Sequence, residues 1–272
     1  MTPLRLEAPA KLNLGIRVTG RRADGLHELD SRFVLLELAD RLVLMPGCSG
    51  LRVEGEGAAS LPVDATNLAW RGLRAGLEGD PDIACLALEK RIPTAAGLGG
   101  GSSDAAAAWR LGRAWRGATD DAPADEVRAL ASIGADVPFF AAGVAAARVR
   151  GVGEVIEAQP AEDLVVVLVH PPFGLATAAV FAELRRDEWG RAENDLLAPA
   201  LRLRPEIGDL FGRVRAAGGA PRLTGSGPTV FSTSDDPERA AAVASVLQDG
   251  GLRVTLTATR QIAASIEAIE ED

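Results

Sequence analysis

The run Pro93-Thr94-Ala95-Ala96-Gly97-Leu98-Gly99-Gly100-Gly101-Ser102-Ser103-Asp104 holds the clearest chemistry in the chain. Its four glycines leave a stretch of backbone with no side chains to hold a ligand away, and glycine admits dihedrals closed to other residues. Two serines, an acid and the alanines from Ala105 to Ala108 then read as a helix start, with Ser102 or Ser103 as cap and Asp104 in the first turn. A helix start presents unpaired N–H groups and the positive end of the macrodipole, so a glycine loop feeding one suits a phosphate. A Walker A loop would end in Gly-Lys-Ser/Thr, and a dinucleotide fingerprint counted from Gly97 would need glycine at position 102. Neither condition is met. The plain alternative is a flexible linker, but linkers rarely run into a capped helix.

Such a loop needs a strand to deliver it, and Ile83 to Ile92 reads as that strand. Upstream, Thr66-Asn67 precedes a helical periodicity over Leu68 to Leu77. Near the start, Leu12, Leu14, Ile16 and Val18 alternate with Lys11, Asn13, Gly15, Arg17 and Thr19, which predicts a half-buried strand. Lys11 and Asn13 then project together from the face opposite the apolar layer. Gly20 to Gly25 is a polar turn, and Phe33 to Leu44 supplies further strand, so the fold opens antiparallel. Asp125 to Ile133 reads as a short helix, Gly134 to Phe140 as a turn in which Pro138 holds Val137 extended, and Gly151 to Glu154 as a tight turn.

Gln159 to Asp163 marks a boundary between domains of residues 1–158 and 159–272. Leu164 to Val169 is a buried strand by its unbroken apolar run, stopped at His170-Pro171-Pro172. Pro205 to Ala217 and Pro237 to Leu247 read as helices, Arg222 to Ser232 and Leu252 to Thr259 as strands, an order that suits an α+β sandwich. The acidic segment Glu267 to Asp272 reads as a solvated end.

Composition narrows the function. At 272 residues and 47% hydrophobic content the chain is globular, with room for one large or two modest domains. Its net charge of −9 counts against nucleic acid or an anionic membrane as partner, so an anionic ligand requires a local basic site. Cys48 and Cys85 lie far apart without ligands at metal spacing, and read as separate buried thiols of a reducing compartment. No signal-peptide pattern opens the chain, and the longest apolar runs fall far short of the roughly 20 residues that span a bilayer, so the cytoplasm is expected. Of 29 basic residues only Lys11 and Lys90 are lysines. A compact ammonium and a planar guanidinium are not interchangeable at a tight site, which singles out these two.

Three blocks, Pro9-Ala10-Lys11-Leu12-Asn13-Leu14, the loop from Pro93 to Ser103, and Leu223-Thr224-Gly225-Ser226-Gly227-Pro228, together resemble the three-motif pattern of the GHMP small-molecule kinases. Arg21 to Glu28, Gly134 to Phe140, Gly151 to Glu154 and Asn194-Asp195-Leu196 are similar to the branch that phosphorylates a cytidine diphosphate-linked methylerythritol. The resemblance covers nearly the whole chain. It implies a two-domain α+β fold with a left-handed βαβ unit in the N-terminal domain and a ferredoxin-like α/β sandwich in the C-terminal one. ATP and the small-molecule acceptor meet between them, and the γ-phosphoryl group passes to the acceptor's 2-hydroxyl.

By the same resemblance Asp136 is the base and Lys11 the electrostatic stabiliser, roles that phosphoryl transfer requires of a protein. From the bare sequence Asp136 reads rather as an aspartate bonding its own turn, and it is the resemblance that reverses this. Pro93, Thr94, Ala95, Ala96, Gly97, Leu98, Gly99, Gly100, Gly101, Ser102, Ser103 and Asn67 fall to the nucleotide, with Ser102 or Ser103 towards Mg²⁺ and no carboxylate ligand assigned. Asn13, Leu26, His27, Thr177, Phe181, Gly225, Ser226 and Gly227 fall to the acceptor, His27 reading the cytosine edge. Leu26 departs from the pattern, because the branch carries tyrosine there as a stacking platform and this chain has no tyrosine. That departure keeps open a homoserine or mevalonate kinase. A nucleotide-binding regulator without turnover is the reading outside catalysis, and the presence of both Lys11 and Asp136 counts against it.

Overall fold

The structure is a computed structural model that describes residues 2–79 and 81–269. Two long strands, β1 (Leu4–Arg21) and β2 (His27–Met45), pair antiparallel along most of their length. Next come β3 (Gly50–Gly55), helix α1 (Leu68–Leu77) and β4 (Cys85–Lys90), a βαβ unit in which β3 and β4 are parallel neighbours. The glycine loop follows β4 and leads into α2 (Gly100–Trp115), then α3 (Ala124–Ala129), α4 (Val137–Ala141) and the hairpin of β5 (Ala146–Gly151) and β6 (Val155–Ala158). β2 is the spine of this sheet: its first part pairs with β5 and its last part with β4.

The second sheet is built from β7 (Val165–His170), helices α5 (Thr177–Glu183), α6 (Leu197–Leu203) and α7 (Glu206–Ala216), β8 (Arg222–Leu223), β9 (Val230–Ser234), α8 (Pro237–Asp249) and β10 (Arg253–Ala258). Its four strands run antiparallel in the order β10-β7-β9-β8. The chain then returns to the first sheet, where β11 (Glu267–Ala268) pairs with Leu4 and Arg5. Part of the acidic segment read as a solvated end is therefore an edge strand. Residues 270–272 of it lie outside the described residues.

The two sheets meet face to face. Leu12, Leu14, Val34 and Leu36 of the first pack with Val166, Leu168 and Phe231 of the second. Val167 and Val169 point the other way, into a core shared with α6, α7 and α8. With both faces of β7 covered, the run Val165 to Val169 is apolar without alternation, and His170 at its end is buried with hydrogen-bond partners; burying each such Val or Leu stabilises by about 1.5–3 kcal/mol.

Other expectations about the fold need correction. The middle of β1 is covered on both faces, not half-buried: Lys11 and Asn13 are only 4% and 2% exposed, because loops close over the side that faces away from the apolar layer. Residues 137–141 form α4 rather than a turn, since Pro138 sits in a first helical turn, where its missing N–H is not needed. The strand read over Arg222 to Ser232 is broken by the Thr224–Pro228 turn into β8 and β9. Finally, Cys48 and Cys85 form a disulfide. Gly50, two residues after Cys48, is the register partner of Cys85, an adjacency across β3 and β4 that spacing along the chain does not reveal.

Candidate active site

The glycine loop turns into α2 earlier than the serines suggest. Gly97 and Gly99 both take the left-handed conformation, and Gly99 caps a helix that starts at Gly100. Ser102 and Ser103 are thus inside the first turn rather than capping it, and the Ser103 hydroxyl is buried without a partner. A side chain at Gly99 would sit 2.9 Å from the Phe140 ring and 3.0 Å from Lys11 Cγ. The loop lies that close to β1, and Lys11 N–H donates to Leu98 C=O at 2.9 Å.

The third block closes on the same place. A Cβ on Gly97 would fall 2.7 Å from Gly227 O, and one on Gly225 3.2 Å from Asn13 Oδ1. Asn13 N–H donates to Thr224 Oγ1 at 3.2 Å, and the Asn194 amide donates to Leu223 and Gly225 carbonyls at 2.8 and 2.9 Å. Three segments far apart in sequence therefore share one centre.

At that centre the Lys11 ammonium donates to Asn13 Oδ1, stands 3.5 Å from Asp136 Oδ2, and lies 4.8 Å from the centroid of the Phe33 ring. Asn13 also donates to Ser31 Oγ at 3.0 Å, so both ends of its amide are occupied. Asp136 occupies the cap position of α4 but makes no side-chain capping bond, and its carboxylate is 32% exposed. Among the described residues no hydrogen bond ties the Asp136 carboxylate to its own turn, and its charged partner is the buried Lys11 ammonium at 3.5 Å.

Next to this centre lies a cavity of about 500 Å³, lined by Asn67, Lys90, the loop from Pro93 to Ser102, Asp104 and Thr177. Asn67 faces it as the cap of α1, its Oδ1 accepting from Ala69 N–H and its amide donating to Pro62 C=O. Among the described residues no cluster of three His, Cys, Asp or Glu side chains is positioned for a metal. The hydroxyls in the first turn of α2, with Ser103 unpartnered, fit an ion held mainly by phosphate oxygens, the usual manner of Mg²⁺.

On the other side, His27 stacks on Phe181 at 5.1 Å and meets Trp189 edge-on at 5.6 Å. Burial, with help from Arg21, lowers the pKa of His27, leaving a neutral ring at pH 7. Leu26 is 53% exposed at the tip of the β1–β2 hairpin. Thr177, which starts α5, shares a 2.8 Å hydrogen bond with Ser226, tying the Phe181 helix to the Thr224–Pro228 turn. Sequence reading missed Trp189 and Ser31, and took Thr224 only as part of the third block. Trp189 carried a signal of its own, as a lone aromatic in the polar stretch 185–193.

Residues 66–144 match the family described as GHMP kinases N terminal domain, and residues 178–251 match GHMP kinases C terminal. The chain belongs to the GHMP kinase family and is an ATP-dependent kinase of two-domain α+β fold. It is 40% identical to the 4-diphosphocytidyl-2-C-methyl-D-erythritol kinase of Granulibacter bethesdensis, over 89% of this chain and 88% of that one. The enzyme of the same name from Thermus thermophilus is 39% identical, over 90% and 92%. A crystal structure of 4-(cytidine 5'-diphospho)-2C-methyl-D-erythritol kinase superposes with a TM-score of 0.79 at 36% identity, covering 94% of this chain and 98% of that one. Homoserine kinase from Cytophaga hutchinsonii, with a TM-score of 0.69 at 17% identity and 98% of each chain covered, shares the fold. No helix among the described residues is long and apolar enough to cross a membrane.

Proposed function

We propose that this chain transfers the γ-phosphoryl group of ATP to the 2-hydroxyl of 4-diphosphocytidyl-2-C-methyl-D-erythritol, a step of the non-mevalonate isoprenoid route. The observation that carries the reading is the pair of Lys11 and Asp136, 3.5 Å apart, set between the glycine-loop cavity and the contacts that bind α5 to the Thr224–Pro228 turn. Loop N–H groups and the start of α2 receive the phosphates, while His27, Phe181 and Trp189 take the cytosine end. The acceptor hydroxyl lies against Asp136. Its oxygen bonds to the γ-phosphorus, the bond from that phosphorus to the bridging oxygen breaks, ADP leaves, and the hydroxyl proton passes to Asp136. Lys11, held by Asn13, offsets the charge that develops on the transferring group. Mg²⁺ on the phosphates, next to Ser102 and Ser103, would supply further charge neutralisation.

The test is ADP release by the purified protein with Mg-ATP and, in parallel, the cytidine compound, mevalonate and homoserine. Release with the cytidine compound alone is expected. Release with either of the others instead, or with none of the three by protein that binds ATP, overturns the reading.

A further inference from the structure

The second lysine has no part in that chemistry, yet it is as deeply buried as the first. Lys90 ends β4, three residues before the glycine loop begins, and is 4% exposed. Its ammonium donates to Asp40 on β2 and, at 2.7 Å, to Asp104 on α2. Asp40 is 0% exposed and does more than balance charge: its second oxygen accepts the N–H groups of Arg91 and Ile92 at 2.6 and 2.8 Å. These are the last two residues before Pro93. Asp104 is 3% exposed and lies one turn into α2. Burial pushes its carboxyl well above the usual carboxylate range, against the pull of Lys90. Burial also works against the charge of Lys90, but Asp104 and Asp40 together outweigh it and raise its pKa.

One ammonium thus holds both ends of the glycine loop. Asp40 fixes the segment that enters the loop, Asp104 fixes the helix that leaves it, and Lys90 joins the two from beneath, 3.3 Å from where a Cβ on Gly100 would stand. We infer that Asp40, Lys90 and Asp104 are positioning residues that hold the loop in its phosphate-receiving shape before ATP arrives. The inference rests on the reading that the 93–103 loop receives the phosphates of ATP. A backbone that binds by its N–H groups has no side-chain anchors of its own, so its aim depends on what grips its ends. An ammonium suits this floor because it is compact and can serve two carboxylates in different directions, whereas a guanidinium presents a fixed planar fork.

The test substitutes Asp104→Ala, which extends the Ala105–Ala108 run, favours the helix, and leaves Lys90 paired with Asp40. Hydrogen exchange of the 93–103 amides in the nucleotide-free protein is expected to rise at least about tenfold, with α7, α8 and the second sheet unchanged. KM for ATP is expected to rise about tenfold while KM for the acceptor stays put, the size of losing one charge-assisted hydrogen bond from the loop's anchorage. Unchanged loop exchange and unchanged KM for ATP would overturn the inference, as would a uniform rise in exchange across the chain. If Asp104→Ala does not fold, Asp104→Asn, which removes the charge, keeps the shape and leaves Lys90 paired with Asp40, takes its place with the same outcomes. Exchange is measured without turnover, and the Kd of Mg-ATP replaces KM if no acceptor is phosphorylated. Failure of the proposed reaction is then distinct from failure of the staple.

Discussion

The surroundings of Lys11 and of Lys90 differ chiefly in how many carboxylates each ammonium can reach. Lys90 is gripped by two buried ones, and its charge is consumed there. Lys11 is nearly as buried but has one carboxylate at 3.5 Å, an amide oxygen and the face of Phe33, so it keeps charge in reserve. Burial alone therefore does not tell a structural lysine from one available to a substrate. The count and reach of its partners does. His170 extends the series to a group with no carboxylate in hydrogen-bond contact among the described residues: buried against Thr255 and Thr229, it gives up its charge, and burial together with the charge of Arg253 lowers its pKa to about 4 against the weaker pull of Glu56.

Each member of the series can be broken separately. The largest effect belongs to the Lys11 centre, where Asp136→Asn should lower kcat by about 10²–10⁴-fold and Lys11→Met by about 10²–10³-fold, with melting temperatures near wild type. Steady-state kinetics on folded protein checks this, and near-normal turnover of both variants would remove the pair from the mechanism. Lys90→Met should instead act on stability, by about 3–5 kcal/mol in denaturant titrations, because it strands two buried carboxylates. Adding Asp104→Ala should recover part of that loss, and a double-mutant cycle reads the coupling.

His170 gives a smaller effect with a defined pH window. Between pH 6.5 and about 4 the unfolded chain takes up a proton that the folded chain refuses. Stability is therefore full above pH 6.5 and declines as pH falls towards 4, by up to about 3 kcal/mol. Unfolding curves across that range should flatten in His170→Gln; an unchanged slope would assign the acid sensitivity elsewhere. The smallest effect lies at the acceptor rim, where Leu26→Tyr should lower KM for the cytidine substrate by about 2–10-fold through ring stacking, with kcat little changed.

What could be read from the sequence followed from local chemistry. The glycine loop, its strand and helix, the α1 span and the shared face of Lys11 and Asn13 all depend on residues near one another in the chain, and all stand in the structure. Errors arose where partners come from far away. The burial of Lys11 depends on the 97–99 loop and on residues 224–227, the disulfide on the β3–β4 register, and the edge strand at Glu267 on the start of β1. The staple was half legible: the rarity of lysine singled out Lys90, but nothing local shows that Asp40, 50 residues upstream, sits beside it. Ser102 and Ser103 looked like caps because their composition permits it, while two left-handed glycines had already started the helix.

Asp195 bears on how such an enzyme changes. Buried at 2% exposure, its carboxylate gathers the backbone N–H groups of Val18, Gly190, Arg191 and Ala192, stitching the segment that carries Trp189 onto β1. Main-chain donors are supplied by any residue but proline, so apart from Gly190, whose left-handed backbone favours glycine, this seam is indifferent to which side chains the segment displays. Side chains on this segment, Trp189 among them, can therefore be exchanged without loosening its attachment to β1.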